Sequence, residues 1–290
     1  MTIGFIGLGI MGEPMARNII QKSMETVWLY DIDKGKVKQL ENEGGRGAES
    51  AAELARNSDV IITMLPNSNH VTEVYNEILT VLDSSKLCVD MSTISPDISV
   101  ALAEKVRARG GEMLDAPVVK SKPAAIKGEL GILVGGDRDS FERVKHILFY
   151  MGRNVIYLGE YGKGLIMKIA HNALVAQIQN GVNETLSFAV KNGISPEDFV
   201  TSVSYGGGQN FYLDSKNRTI QEGNYQTAFS VENMHKDLGI IKDVAEKQSI
   251  HLNGVDLVKS VYDAAIVHGY GKEDFSATYK LFAGGDFLEP

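Results

Sequence analysis

Gly7-Leu8-Gly9-Ile10-Met11-Gly12 stands directly after a short apolar run, Thr2-Ile3-Gly4-Phe5-Ile6, and directly before a helical pattern over residues 13–21. Few six-residue stretches constrain a fold so tightly. A strand that turns at once into a helix needs a glycine at the reversal, and Gly7 supplies it. Gly9 lets a bulky anion approach the main chain, and Gly12 lets the helix lie close on the strand. The first N–H groups of a helix lack intrahelical partners and point at any anion placed there. Pro14 is tolerated in that turn for the same reason. A second strand, Thr26-Val27-Trp28-Leu29-Tyr30, ends in Asp31, 19 residues after Gly12. That is where a dinucleotide fold places the acid that holds a ribose diol. The loop (Gly7, Leu8, Gly9, Ile10, Met11, Gly12) and Asp31 therefore predict a Rossmann-type α/β domain that binds a nicotinamide dinucleotide. A carboxylate at Asp31 repels a 2′-phosphate, which favours NAD. Lys34 and Lys36 follow closely and soften the preference, so NADP stays open.

The rest of the first half alternates strands and helices as such a sheet requires. Strands are expected over residues 60–64, 87–91, 112–115, 131–136 and 154–158. Helices fall between them at residues 50–56, 71–82, 99–109 and 137–151. Ligands of open parallel sheets sit beyond the carboxyl ends of the strands. Met64, Leu65 and Pro66 are then candidate cofactor-lining residues, or an ordinary strand-to-loop turn. Ser92 and Thr93 carry hydroxyls suited to a carboxylate or to nicotinamide. Ser95-Pro96 reads equally well as a helix start. Residues 116–123 read as a polar loop. After residue 158 the pattern is helical throughout, with segments at 195–203, 215–221, 231–248, 255–269 and 275–282.

A long helix over about 162–191 joins the two halves, and its start holds the candidate chemistry. Lys168 and Asn172 are four residues apart and share a helix face. Gly164, one turn earlier, is expected to leave room above Lys168. Ile166, Ile169, Ala170, Ala173 and Leu174 read as the packing side. An ammonium facing open space beside an amide can hold and protonate an oxygen. A solvated surface lysine fits the same local pattern.

Composition excludes several function classes. The chain has 290 residues, 43% hydrophobic and 23% charged, with a net charge of −8. No broad basic surface is available for phosphate contacts, so no nucleic-acid partner is expected. No run of 18 apolar residues suggests a membrane span, and the N-terminus lacks a basic secretory leader. The single cysteine, Cys88, sits in an apolar run, is expected to be a small buried hydrophobe, and suits a reducing, cytoplasmic setting. No metal site is expected.

Four ordered segments together resemble the β-hydroxyacid dehydrogenase family, which includes 3-hydroxyisobutyrate dehydrogenases and tartronate semialdehyde reductases. They are residues 4–12; Asp90-Met91-Ser92-Thr93-Ile94-Ser95-Pro96; Gly162-Lys163-Gly164 through Lys168 and Asn172; and His235-Lys236-Asp237-Leu238. The resemblance covers essentially the whole chain. It implies a Rossmann-type N-terminal domain over 1–162 and an all-α C-terminal substrate and oligomerisation domain over 163–290. It also implies an active cleft between them and a homodimer or homotetramer. By that resemblance Lys168 matches the catalytic lysine and Asn172 a substrate-orienting amide. Ser92 and Thr93 match positions near substrate and nicotinamide, and Lys236 matches a cofactor-contacting lysine. His171 and His235 read as helix-face histidines without chemistry.

One place departs from the family pattern. Asp115-Ala116-Pro117-Val118 is followed by Val119-Lys120-Ser121 instead of Ser-Gly-Gly. A basic and a hydroxyl side chain replace a glycine nest, an exchange also found in the branch that reduces sulfolactaldehyde. Lys120 and Ser121 are thus candidate ligands for an anionic head group larger than a carboxylate. The implied reaction is hydride transfer between nicotinamide and a small anionic 3-hydroxyacid or hydroxysulfonate and its aldehyde, with Lys168 moving the proton. A lysine near its ordinary pKa of ~10.4 is a poor base, so the role calls for burial or a neighbouring cation. An imine reductase of the same architecture typically lacks this lysine, and a binding-only descendant would lose it. A decarboxylating phosphogluconate-type enzyme carries a larger helical domain.

Overall fold

The computed structural model describes residues 1–284 and divides into two compact units, 1–168 and 169–290. The first unit is a nine-stranded sheet in the order β3-β2-β1-β4-β5-β6-β8-β7, with β9 beside β8. Its strands are β1 (Thr2–Ile6), β2 (Thr26–Tyr30), β3 (Arg46–Gly47), β4 (Val60–Thr63), β5 (Leu87–Asp90), β6 (Glu112–Asp115), β7 (Val118–Val119), β8 (Leu130–Gly136) and β9 (Gly152–Tyr157). Between them run α1 (Gly12–Lys22), α2 (Lys34–Glu41), α3 (Ala51–Arg56), α4 (Ser68–Ile78), α5 (Pro96–Ala108), α6 (Lys122–Lys127) and α7 (Arg138–Met151).

The strands from β3 through β6 are mutually parallel. Every residue of β4 and β5 is buried, as expected of strands covered on both faces. Two apolar clusters do the covering. One gathers Ile3, Phe5, Met15, Ile19, Phe141 and Ile147, the other Ile61, Tyr75, Ile78, Cys88, Leu102 and Val106. Cys88 is fully buried, and burial pushes its thiol up to about 12, so it is an inert core residue. Asn67 caps α4 through the Asn69 and His70 N–H groups, and Ser50 caps α3 through Glu53.

The structure corrects the sequence reading past β6. Residues 116–123 are not simply a loop: β7 and the start of α6 lie there. The connection from β6 is taken up by β7 and the six-residue α6 instead of one full crossover helix, and β8 returns antiparallel to β6 and pairs with β7 as a second antiparallel neighbour. The longer α7 then gives a true crossover, and β9 lies parallel to β8. The sequence reading also passed over α2 and the two-residue β3.

In the second unit α8 (Lys163–Lys191), which begins at the end of the first, is followed by α9 (Pro196–Ser204), α10 (Phe211–Glu222), α11 (Val231–Lys247), α12 (Asn253–Val267), a 3-10 turn (Phe275–Thr278) and α13 (Tyr279–Gly284). Its core joins Ala173, Ala176, Met234, Leu238, Val258, Tyr262 and Leu281, with a satellite around Val182, Leu186, Tyr212 and Leu213. The buried carboxylate of Asp274 accepts from Lys216 at 2.9 Å and from the Ser276 hydroxyl at 2.6 Å, which fastens α10 to the chain's last turns. Among the described residues no helix is long and apolar enough to cross a membrane.

Candidate active site

The glycine loop has the form a dinucleotide requires. Gly7 adopts φ +96, and a Cβ there would lie 2.3 Å from the Met64 carbonyl oxygen. A Cβ on Gly12 would fall 1.9 Å from the Gly7 oxygen, so only glycine lets α1 sit this close. Gly9 is the opposite case: a Cβ would meet nothing within 4 Å, and its main chain faces open space. No side chain caps the start of α1, which leaves that N-terminus to an anion. Leu8 is fully buried and anchors the loop, Met11 is half-buried, and Ile10 is exposed at the tip.

Asp31 does more than the ribose role expected of it. Its Oδ2 accepts the Leu8 N–H at 2.5 Å and its Oδ1 accepts the Asp33 N–H at 2.8 Å. The carboxylate therefore locks the glycine loop to the end of β2 and still has lone pairs for a diol. Asp33 follows as the cap of α2. Two acids at this strand end disfavour a 2′-phosphate. The donors, the open glycine and the acid fit a nicotinamide dinucleotide.

At the ends of β4 and β5 the buried side chains form one chain of hydrogen bonds. Asp90 Oδ1 accepts from Thr63 Oγ1 at 2.8 Å and from Ser92 Oγ at 2.6 Å, and Ser92 Oγ accepts the Leu65 N–H at 2.9 Å. Ser92 is 0% exposed. The hydroxyl expected to meet substrate is thus spent on the framework, where it fixes the Met64-Leu65-Pro66 turn. Met64, Leu65 and Thr93 are half-buried, and Pro66 is exposed.

Lys120 is exposed and adopts φ +79, one of two non-glycine residues among those described with a positive φ. The backbone keeps a glycine-type conformation under a lysine side chain, a sparsely populated state that costs free energy. Ser121 precedes α6 and makes no capping bond through its side chain. The far end of α6 is tied to α1. The buried Asn18 amide donates to Ala125 O at 2.8 Å and to Pro14 O at 2.9 Å.

The start of α8 departs from expectation. Gly164 does not open space above Lys168. A Cβ there would lie 2.3 Å from Leu133 O and 2.8 Å from Asp115 Oδ2, so this glycine lets the helix press onto β6 and β8. The packing side is turned only in part: Ile169 and Ala173 are buried as expected. Leu165, Ile169, Ala173 and Ala176 are buried, whereas Ala170 is exposed and Leu174 is 57% exposed. Lys168, at 7% exposure, and Asn172, at 4%, lie on the buried side, which rejects the solvated-lysine alternative.

In the second unit Asn172 Nδ2 donates to Asp237 Oδ2 at 2.6 Å, and His171 Nδ1 lies 3.1 Å from Asn172 Oδ1. Lys236 Nζ is 3.1 Å from Asp237 Oδ1. Asp237 is 1% exposed and holds both the amide and the lysine. The sequence alone assigns no role to Asp237 or to Asp115, although both stand within the motifs. The signal was an acid abutting a candidate basic residue in one case and a strand-terminal acid in the other. His235 belongs to a surface group with Asp263 at 2.7 Å and Lys259 at 2.9 Å.

Comparisons with known proteins agree with this geometry. Residues 2–159 match the family described as the NAD binding domain of 6-phosphogluconate dehydrogenase. Residues 162–282 match that described as NAD-binding of NADP-dependent 3-hydroxyisobutyrate dehydrogenase. Mitochondrial 3-hydroxyisobutyrate dehydrogenase of Mus musculus is 35% identical over 288 residues, covering 96% of this chain and 86% of the relative. The chain belongs to the β-hydroxyacid dehydrogenase family. Within that family, 2-(hydroxymethyl)glutarate dehydrogenase of Eubacterium barkeri is 30% identical over 97% of this chain and 95% of its own. The crystal structure of 3-hydroxyisobutyrate dehydrogenase from Salmonella typhimurium superimposes with a TM-score of 0.88 at 27% identity, covering 97% and 99% of the two chains. An imine reductase from Myxococcus stipitatus, at 22% identity and a TM-score of 0.67, shares the fold. As a β-hydroxyacid dehydrogenase the chain is an NAD(P)-dependent oxidoreductase.

Proposed function

We propose that this enzyme interconverts a small anionic 3-hydroxyacid, or a hydroxysulfonate, with its semialdehyde, and prefers NAD to NADP. The observation that carries the reading is the burial of Lys168 on the same face of α8 as Asn172. NAD(H), when bound, accepts or supplies the hydride. In the reducing direction charge grows on the carbonyl oxygen, and the Lys168 ammonium stabilises that charge and gives a proton from Nζ. In the oxidising direction the neutral amine takes the proton back. Asn172, held by Asp237, donates to the substrate without changing charge. Lys120 and Ser121 bind the anionic head group, and the strain at Lys120 supports a functional reason for keeping lysine there. Asp31 and Asp33 support the preference for NAD. Ile10, Met11, Met64, Leu65, Pro66, Thr93 and Lys236 complete the cofactor contacts, while Leu8, buried and bonded to Asp31, holds the loop in place. We assign residues 1–162 to cofactor binding and 163–290 to substrate binding and assembly, in a homodimer or homotetramer of the cytoplasm.

The test is a panel of carboxylated and sulfonated aldehydes and 3-hydroxyacids, read by nicotinamide absorbance with NADH and then NADPH. Lys168→Ala is expected to lower turnover by at least ~10² with nicotinamide affinity near that of the wild type. Retained turnover would reject the assignment.

A further inference from the structure

Asp115 closes β6, and from it the chain runs on to Lys120 and Ser121. Its side chain turns onto α8. Oδ1 accepts the Gly162 N–H at 2.7 Å, and Oδ2 accepts the Leu165 N–H at 2.9 Å. Gly162 stands at the capping position, since its carbonyl accepts the Ile166 N–H at 2.9 Å. Leu165 is the third residue of α8. In a capping box these two donors are satisfied reciprocally by side chains of the helix's own first residues. Here the capping residue has no side chain and a φ of +83. One carboxylate, 47 and 50 residues away in sequence, satisfies both donors instead. Glycines close the fit on either side. A Cβ on Gly135 would lie 2.6 Å from Asp115 Oδ1, and one on Gly164 would lie 2.8 Å from Oδ2.

We propose that Asp115 is the positioning residue that sets the distance between the Lys168 amine and the head-group loop. The proposal rests on Lys168 being the proton donor and on Lys120 and Ser121 receiving the head group. Lys168 is three residues beyond Leu165, so a slip of the first helical turn moves the amine. The loop begins one residue past Asp115 and is held there by the pairing of β6 and β7 with β8. The carboxylate thereby fastens the helix that carries the amine to the strand end from which the head-group loop starts.

The device is ionisation-dependent. A carboxylate accepts at both oxygens, whereas protonation turns one of them into a donor facing an N–H. Burial raises the Asp115 carboxyl to about 6, against the opposing pull of the two helix N–H groups and with a smaller push from Asp90. The charged group that acts on it is Asp90, its neighbour across the β5–β6 ladder.

Three measurements test this. In the wild type, the amide proton shifts of Gly162 and Leu165 are followed by NMR against pH and are expected to titrate together near pH 6, in step with an acidic limb in kcat. Asp115→Asn keeps the shape and removes the charge. It is expected to bind NADH as the wild type does, to lose at least ~10-fold in kcat and to lose the acidic limb, since displacing a catalytic group by about 1 Å costs up to ~10². Asp115→Glu is expected to recover part of kcat. Amides that do not titrate within about one unit of pH 6 would overturn the proposal whether or not the variants fold, and so would a wild-type kcat and pH profile in Asp115→Asn. If Lys168→Ala retains turnover while the two amides still titrate, the proton-donor reading fails and the cap stands.

Discussion

At the scale of single residues, Lys120 and Asp115 both give up stability at places where chemistry is expected. A lysine at φ +79 costs about 1–2 kcal/mol relative to glycine. Lys120→Gly is therefore expected to raise the midpoint of thermal unfolding while raising KM for the aldehyde about tenfold or more, since a charge-assisted hydrogen bond contributes roughly 1.5–3 kcal/mol. Lys120→Ala should raise KM equally without the gain in stability, because alanine keeps the strain. An unchanged KM for every anionic aldehyde turned over would remove the head-group role. Asp115 acts on stability through pH. Its native pKa of about 6 lies above the ordinary carboxyl value of about 3.9, so between the two the folded chain binds more protons than the unfolded one. The contribution is complete at low pH and is lost as pH rises from about 4 to about 6, some 2–3 kcal/mol at most. Urea denaturation of wild type and Asp115→Asn across that range should show the slope in the first and not in the second.

At the scale of elements, the start of α8 shows what a sequence can and cannot reveal. The four-residue spacing of Lys168 and Asn172 was legible, because helix geometry depends only on local spacing. Which side of the helix is buried was legible only in part, through Ile169 and Ala173. The stripe Ile166, Ala170 and Leu174 is as apolar as the stripe Leu165, Ile169 and Ala173, and only packing against other elements chooses between them. Gly164 was read as room for a lysine, whereas it is contact with a strand. Gly164→Ala should therefore cost about 1–3 kcal/mol, because the added methyl meets the Leu133 carbonyl at 2.3 Å. Turnover is expected to fall with it, since the same displacement carries Lys168; thermal unfolding and kcat measured on one preparation check both. The β7–α6 stretch escaped notice for a related reason. Two valines and a six-residue helix are too short to show periodicity, and their pairing with β8 is a long-range choice. Ser92 misled differently: a hydroxyl at a strand end looks available until its neighbours Asp90 and Leu65 are seen to use it.

At the scale of the whole chain, the glycine loop, the acid at β2 and the switch from alternating to purely helical patterning sufficed to place the Rossmann sheet and the helical second part. Those signals are local and strong. The reversal of β8 was not, because the connections before and after it are of nearly equal length and only the packing of β7 and α6 in the one and of α7 in the other sets its direction. The Asn18 amide joins α1, whose uncapped N-terminus fits a dinucleotide phosphate, to α6, which follows directly on Lys120 and Ser121. Ordering of one end of this strut is expected to favour order at the other, and any coupling of the two ligands is reciprocal, each changing the other's affinity by the same factor. Calorimetric titration of an unreactive anionic analogue should give a smaller Kd with NAD present than without it. In Asn18→Ala the two titrations should coincide, leaving an enzyme whose reactants arrive without regard to order.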